Sequence, residues 1–461
     1  MNVDVCVTTD GPQSNWGKTI DWLLRTMLWF VRSIVTFFAN VLVSTIVNLR
    51  LAWNKKNGLH VLFEELHRPW APKELVCIYS PSGRRTFFVK NGKLNPQVLI
   101  DGKRFEKMKT SHKTAFGRLI GNAATAAGDD PVLAKVAKVA LRTTMSCPGS
   151  GVLPVLNSIA PAIKRRLEEA QATNMPFSLY EGLHRTCILA IFPAMMGSSL
   201  ESNVPKSIGL DALIKGVDRI ANAGVTCKEK KHDALYEAIR ETFLSGFKTA
   251  PEGSFGRSLL DMKNDNPDLP LSASLANAVF YWNAVSSVAS NVIDHFVLMM
   301  ARNPHHWEKA LVDRNHFRRC LKETLRLFSP VSGLMPRRSR KDVYLGSTFV
   351  PRSSFVVVIP VLQIEDVEFR PERWEHNDAL GEAEYEDVVY APFSSGTRAC
   401  LMRSYGGDFL ENLVWDVVSP FHFEMAHDDV LRDEHPAKHH ISDIGIAFRP
   451  SYDYKYVVKT R

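Results

Sequence analysis

Apolar and polar positions along this chain follow two regimes. Between about residues 131 and 330, hydrophobic residues recur at intervals of three and four. PVLAKVAKVALRTT, SIAPAIKRRLEEAQA, DALYEAIRETFLSGF and a long stretch from about Leu271 to Met300 show it, and this spacing predicts helices. On either side the period shortens. VCIYS and RRTFFVK, split by Pro81-Ser82-Gly83, predict a hairpin, Val343 to Val358 predicts further strand, and HISDIGIAF with DYKYVVKT predicts a last hairpin. The expected class is mainly α with minor β, without an internal repeat.

A third pattern occupies the N-terminal part. From Ile20 to Leu51 the chain is apolar apart from a few charges, and its uncharged part, Ser33 to Leu49, is about 17 residues, the short limit for a membrane-spanning helix. Arg25 and Arg32, seven apart, share a helical face, so the earlier half is expected in the headgroup layer while the later half dips or spans. A signal peptide is excluded by the length of the run, its distance from Met1 and the lack of a small-residue cleavage site. The alternative is an apolar first helix of the fold. The expected division is therefore a tail and membrane anchor over 1–52 and one globular domain over 53–461. Basic residues flank both sides, Lys18, Arg25 and Arg32 against Arg50, Lys55 and Lys56, so charge leaves the orientation open.

Composition narrows the class further. Hydrophobic residues at 45% and charged residues at 23% of 461 exclude disordered and collagen-like chains. Lysine and arginine exceed the acids by 57 to 49, but no basic block stands beside interleaved aromatics, which argues against nucleic-acid binding. The seven cysteines show no paired C-x-x-C spacing, so neither a disulfide framework nor a structural zinc motif is expected, and the compartment reads as reducing. His435 and His439 are four apart near Asp433 and Glu434, but Pro436 intervenes, which argues against a zinc pair on a helix.

One cysteine stands in a distinctive setting, FSSGTRACLMR. A thiolate is a metal ligand when its pKa is lowered, and a helix starting after Cys400, from Leu401 to about Val418, would lower it through free N–H groups and the macrodipole. Gly396 would let the backbone approach a flat ligand, Phe393 would shield the sulfur, and Arg398 would reach an anionic group.

Phe393, Gly396, Arg398 and Cys400 form F-x-x-G-x-R-x-C, which resembles the haem-binding signature of the cytochrome P450 family. Residue frequencies would produce these four positions in about one such chain in a thousand. KETLRLFSP resembles the family's E-x-x-R, with Glu323 and Arg326 three apart on a helix that Pro330 stops. FRPERW supplies Arg373, which by the resemblance joins Glu323 and Arg326 in a buried triad. ARNP, Ala301 to Pro304, looks like the end of the family's long central helix. The resemblance implies a cytochrome P450-like fold with haem b, iron protoporphyrin IX, held by the Cys400 thiolate as axial iron ligand. It implies cations for the propionates: Arg398, Arg337 or Arg338 from MPRR, and, from a helix, Lys138 and Arg142, with Phe105 and Lys109 as a less favoured choice. It also implies a separate NADPH-cytochrome reductase docked on a basic face around Arg398 and Arg403, a lipophilic small-molecule substrate, and anchorage at the endoplasmic reticulum with the catalytic domain in the cytosol.

Three departures temper this. The acid-alcohol pair of the family's central helix is replaced by Ala284-Val285-Ser286-Ser287-Val288-Ala289, so Ser286 and Ser287 become the candidates for holding a proton-relaying water, with simple packing as the alternative. Met402 stands where the family usually has glycine, and the stretch between Pro360 and FRPERW is short. The expected function is hydroxylation or epoxidation in secondary metabolism. The alternatives are an isomerase or dehydratase acting on a pre-oxidised substrate, and a haem-binding protein without catalysis. Phe280, Trp282, Val285 and Val331 to Leu334 are the candidate substrate-facing positions.

Overall fold

The computed structural model describes residues 15–53, 58–80, 84–108, 115–121, 123, 128, 133, 157–222, 233–330, 336–384, 388–403, 406–426 and 454–461. Ten strands are described in chain order: β1 Leu75–Tyr79, β2 Arg85–Val89, β3 Phe105–Lys107, β4 Phe177–Ser178, β5 Arg337–Ser339, β6 Val343–Leu345, β7 Thr348–Val350, β8 Phe355–Val358, β9 Phe421–Met425 and β10 Lys455–Thr460. Helices account for most of the remainder, so the fold is mainly α with minor β.

The principal sheet runs β1-β2-β8-β5-β3. β1 and β2 pair antiparallel with Leu75 opposite Val89, as the alternating spacing predicts, and β2 then meets β8 in parallel. The alternation buries Phe87 and Val89 on β2 and leaves Thr86 and Phe88 half-buried on the other face. β6 and β7 form a separate hairpin. At the C-terminus the expected last hairpin takes another form: β10 pairs with β9 and β4, while residues 441–449 lie outside the described residues.

The helices SIAPAIKRR and DALYEAIRE predict are present as Ile159–Thr173 and Asp233–Thr249. PVLAKVAKVALRTT lies outside the described residues, Leu133 excepted. The central helix, Leu271–Arg302, is buried along most of its length because apolar residues cover nearly its whole circumference. It packs on the helix Leu179–Met196. Trp282, fully buried, donates its indole N–H to the Ile188 carbonyl at 2.9 Å and meets Phe192 and Phe243 edge to face. Removing such a side chain costs about 3–5 kcal/mol.

The N-terminal helix extends from Asn15 to Trp53, and the expected boundary at residue 52 falls inside it. β1 is an edge strand whose outer N–H and C=O groups need partners. They find them on this helix. Asn40 Oδ1 accepts from Cys77 N–H at 2.9 Å, Ser44 Oγ from Tyr79 N–H at 3.0 Å, and Asn48 Nδ2 donates to the Tyr79 carbonyl at 2.8 Å. Asn40, Ser44 and Asn48 are four apart, so one face presents them all, with Val43 and Val47 buried beside them. Packing therefore divides the chain near residue 39. The earlier half leaves Leu24, Met27, Leu28, Phe30, Val35 and Phe38 exposed.

A buried ionic framework joins the helix Arg314–Leu327 to the segment 366–374. Glu323 is inaccessible, and its two oxygens accept from Arg326 at 2.7 and 2.9 Å, Arg373 Nε at 3.0 Å, the Trp374 indole at 2.9 Å and the Arg370 backbone at 3.1 Å. Glu323, Arg326 and Arg373 thus come together as the sequence resemblance implies. Asp366, which sequence reasoning missed, accepts from Arg373 at 2.9 Å and pairs with Arg370. Desolvation pushes its carboxyl up, but the hydrogen bonds from Arg373 and Arg370 outweigh this and hold it well below the usual carboxylate range. Beside it, fully buried Lys322 donates to Glu384 at 2.7 Å and to the Asn377 carbonyl at 2.8 Å, with its ammonium over the rings of Trp374 and Tyr390.

Two stability effects follow. Asn40→Leu leaves the Cys77 N–H without its acceptor and is expected to destabilise the protein by about 1–3 kcal/mol in urea unfolding monitored in detergent; no change in midpoint would contradict the edge-capping role. Glu323→Ala takes the carboxylate partner from buried Arg326 and one of two from part-buried Arg373 and should cost about 3–5 kcal/mol, whereas Asp101→Ala, which breaks a part-exposed pair with Arg104, should cost under about 1 kcal/mol in the same assay.

Candidate functional site

Phe393 to Arg403 folds into a tight loop. Ser394 and Gly396 both adopt left-handed backbone, at φ 59° and 73°, and a 3₁₀ turn spans Gly396–Arg398. The Cys400 N–H then donates to the Phe393 carbonyl at 2.8 Å and closes the loop. Gly396 is required twice over. Its φ suits glycine, and a Cβ there would lie 2.7 Å from the Leu99 carbonyl and 3.0 Å from Ile100 Cα. The glycine therefore serves the seating of the loop on the short helix Asn95–Leu99, where sequence reasoning assigned it to approach of a flat ligand.

The helix expected from Leu401 starts instead at Gly406, after a turn over 401–403. Gly406 and Gly407 look like a weakness for a helix, but both are close-approach positions. A Cβ on Gly406 would meet the Phe393 ring at 2.8 Å, and one on Gly407 would meet Leu380 Cβ at 3.0 Å. Phe393 is thereby wedged against the helix start.

Cys400 is solvent-accessible. Its surroundings nevertheless desolvate it and push the thiol pKa up, opposed by the Met402 N–H, 3.4 Å from Sγ, and by the charge of Lys107. Among the described residues the following helix is present from Gly406, and the N–H that meets the sulfur is that of Met402 in the turn before it. The thiol is thus open to a ligand although its neighbours shield it from much of the surrounding water. Cys77, Cys187 and Cys320 are all buried, so among the described cysteines the accessible donor is Cys400. The donor set, a lone accessible sulfur with one N–H aimed at it, fits a single axial ligand to a haem and does not fit a tetrahedral metal.

The surrounding cations sort by strand register. Lys107 lies opposite Arg337 and Glu106 opposite Arg338, so Lys107 and Arg337 share one face of the sheet and Glu106 and Arg338 the other. Arg338 is half-exposed and committed to Glu106, which removes it from the candidates for an anionic ligand. Arg337 is buried, and Lys107, on the same face, is near enough to Cys400 to act on its thiol. Lys107 was missed; its signal was its place in the alternation of FEK, two residues from the buried Phe105. Arg398 is partly buried at the end of the 3₁₀ turn. Lys138, Arg142 and Lys109 lie outside the described residues, as do Val331 to Leu334 and His435, His439 and His440.

On the central helix Phe280, Ala284, Val285 and Val288 retain partial accessibility mid-helix. At about 100° per residue they form one apolar stripe. Ser286 projects from nearly the opposite side, fully buried, with its hydroxyl donating to the Trp282 carbonyl at 2.6 Å. Ser287 sits 3.4 Å from His184 Nε2 on the neighbouring helix. Ser286 thus faces away from the accessible side, while Ser287, close in phase to Phe280, is buried against His184. Trp282 is likewise corrected from substrate-facing to core.

Residues 231–441 match the family model described as Cytochrome P450. Similar curated proteins include a cytochrome P450 monooxygenase of Aspergillus aculeatus, 32% identical over 23% of this chain and 22% of its own length. Cytochrome P450 3A5 of Homo sapiens is 34% identical over 20% and 19%. Flavonoid-6-hydroxylase of Ocimum basilicum is 27% identical over 24% and 22%. The matched part spans about a fifth of the length of these relatives. A solved cytochrome P450 structure superposes with TM-score 0.69 at 16% identity, covering 88% of this chain and 95% of that one. The chain thus shares its fold with a solved cytochrome P450 over nearly its whole length, and its residues 231–441 match the cytochrome P450 family model.

Proposed function

We propose that the chain is a haem-thiolate monooxygenase that hydroxylates or epoxidises a lipophilic small molecule, with electrons from a separate NADPH-cytochrome reductase. The carrying observation is the accessible, desolvated Cys400 thiol in a loop pinned by Phe393 and Gly396. The match to the cytochrome P450 family implies haem b with thiolate ligation, and Cys400 is the residue of this chain assigned to hold it. Bound there, the haem supplies the oxygen chemistry, with the sulfur donating electron density to the iron. Phe393 shields the sulfur, and the Met402 N–H tempers its charge. Arg398, Arg337 and Lys107 are assigned to the propionates, and Lys138 and Arg142 remain assigned to them from the sequence resemblance. Phe280, Ala284, Val285 and Val288 line the substrate side, a stripe without a charge that suits an apolar substrate. A role in secondary metabolism and residence at the endoplasmic reticulum, held by the apolar N-terminal half-helix, belong to the same reading. The named oxygenases among the similar proteins support the reaction class.

One observation favours a second reading. The accessible stripe holds neither an acid nor a hydroxyl, so proton delivery for oxygen activation has no side chain there among the described residues. An isomerase or dehydratase acting on a peroxide or similar pre-oxidised substrate needs no such delivery.

Carbon monoxide added to the reduced, haem-loaded protein should give the red-shifted Soret band of thiolate ligation, and Cys400→Ala should abolish it. A band that survives the substitution, or never forms, would refute the assignment. Turnover separates the two readings: product only with reductase and NADPH supports oxygenation, and product from an organic hydroperoxide substrate with neither present supports the second.

A further inference from the structure

Outside the haem-binding region, two histidines, a cysteine and a glutamate converge where three chain segments meet. His306 lies in the first turn of the helix Pro304–Val312, His316 and Cys320 are four apart on the helix Arg314–Leu327, and Glu372 belongs to the 3₁₀ turn Pro371–Trp374. His306, His316 and Cys320 are all buried, and their ligand atoms lie within 4.8 Å of one another. His306 Nδ1 and His316 Nε2 are 3.1 Å apart, and Glu372 Oε1 is 3.8 Å from His306 Nδ1.

From this geometry we infer a structural zinc site formed by His306 Nδ1, His316 Nε2, Cys320 Sγ and the Glu372 carboxylate. A tetrahedral zinc ion with Zn–N about 2.0–2.1 Å and Zn–S about 2.3 Å holds its ligand atoms about 3.3–3.6 Å apart. The nitrogen pair, 3.1 Å apart, is already near that spacing, shifts of about an ångström bring the sulfur in, and a side-chain rotation of the half-exposed Glu372, 3.8 Å from His306, would complete the set. Two imidazoles sharing one proton satisfy each other without a metal. What distinguishes this group is the buried sulfur and the acid beside them, a nitrogen, sulfur and oxygen donor set that suits zinc. Charge balances as well. Binding displaces the Cys320 proton to solvent and moves the shared imidazole proton to the far nitrogen of its ring, so the dication is neutralised by one thiolate and one carboxylate. The ion would tie the segment bearing Arg373 to the helix bearing Glu323, one turn beyond Cys320.

The test uses the full chain, haem-loaded, with any affinity tag removed, dialysed exhaustively after exposure to Zn²⁺ alone. Plasma mass spectrometry should find about one zinc per chain, and zinc-edge X-ray absorption should show one sulfur at about 2.3 Å beside nitrogen and oxygen neighbours. Cys320→Ser should remove the sulfur shell and reduce retained zinc at least about tenfold, while Cys400→Ala should change neither. Less than about a tenth of an equivalent in the unsubstituted protein, a shell without sulfur, or sulfur lost with Cys400→Ala would each overturn the site. Stoichiometry, the sulfur shell and the Cys400→Ala control decide the matter even if Cys320→Ser fails to fold, and none of them reads the haem Soret band.

Discussion

The Glu323 carboxylate is the constraint on which the surroundings of Cys400 depend. A charge in the interior is tolerable only when its hydrogen-bonding capacity is filled, and Glu323 fills its own with side-chain donors from Arg326, Arg373 and Trp374 and the backbone N–H of Arg370. Asp366 brings the second negative charge, so the cluster of Glu323, Asp366, Arg326 and Arg373 is neutral as a whole. Arg326 also donates to the Asp366 and Glu368 carbonyls, which binds backbone as well as side chain. Such a cluster does little for net stability compared with a well-packed apolar one, but it accepts only one arrangement of its segments. It fixes the course of residues 366–374, and Lys322 with Glu384 fixes the stretch that follows toward Phe393.

A second set of contacts reaches the thiol from the sheet. Gln363, buried, donates to the Val89 carbonyl at 2.7 Å and exchanges hydrogen bonds with Asn95, which opens the short helix ending at Leu99. The Leu99 carbonyl is the surface on which Gly396 rests. Ionic contacts thus reach the cysteine loop from one direction and amide contacts from another. The left-handed Ser394, which costs about 1–2 kcal/mol for a non-glycine residue, is held in place by the closure between them.

Sequence patterns disclosed those parts whose physics is local. The E-x-x-R pair is a helical i, i+3 contact, the β1–β2 hairpin alternates with period two, and the cysteine loop carries its own turn residues, so each left a mark within ten positions. Gln363 and Asn95 are 268 residues apart, and no local period connects them. Lys322 belongs to a helix rich in charged residues, yet it is fully buried because Glu384, Trp374 and Tyr390 enclose it. The serines in the central helix stand at the interval a proton relay would need, with simple packing as the alternative, and the helical angle carries Ser286 away from the accessible stripe. Interval along a helix fixes height, and only the phase fixes direction.

The N-terminal helix shows how one run of apolar residues can satisfy two unlike surroundings. Its later half carries Asn40, Ser44 and Asn48 on one face because an edge strand demands hydrogen-bonding partners that lipid cannot supply. In its earlier half, among the described side chains, Leu24, Met27, Leu28, Phe30, Val35 and Phe38 stand exposed. An exposed apolar surface of that extent is unfavourable in water and needs a cover. Because the helix runs unbroken from Asn15 to Trp53, whatever covers the earlier half meets a rod already fixed to β1 rather than a loose tether. The uncharged stretch from Ser33 to Leu49, read alone as one short span, is in fact shared between the sheet edge and that exposed surface.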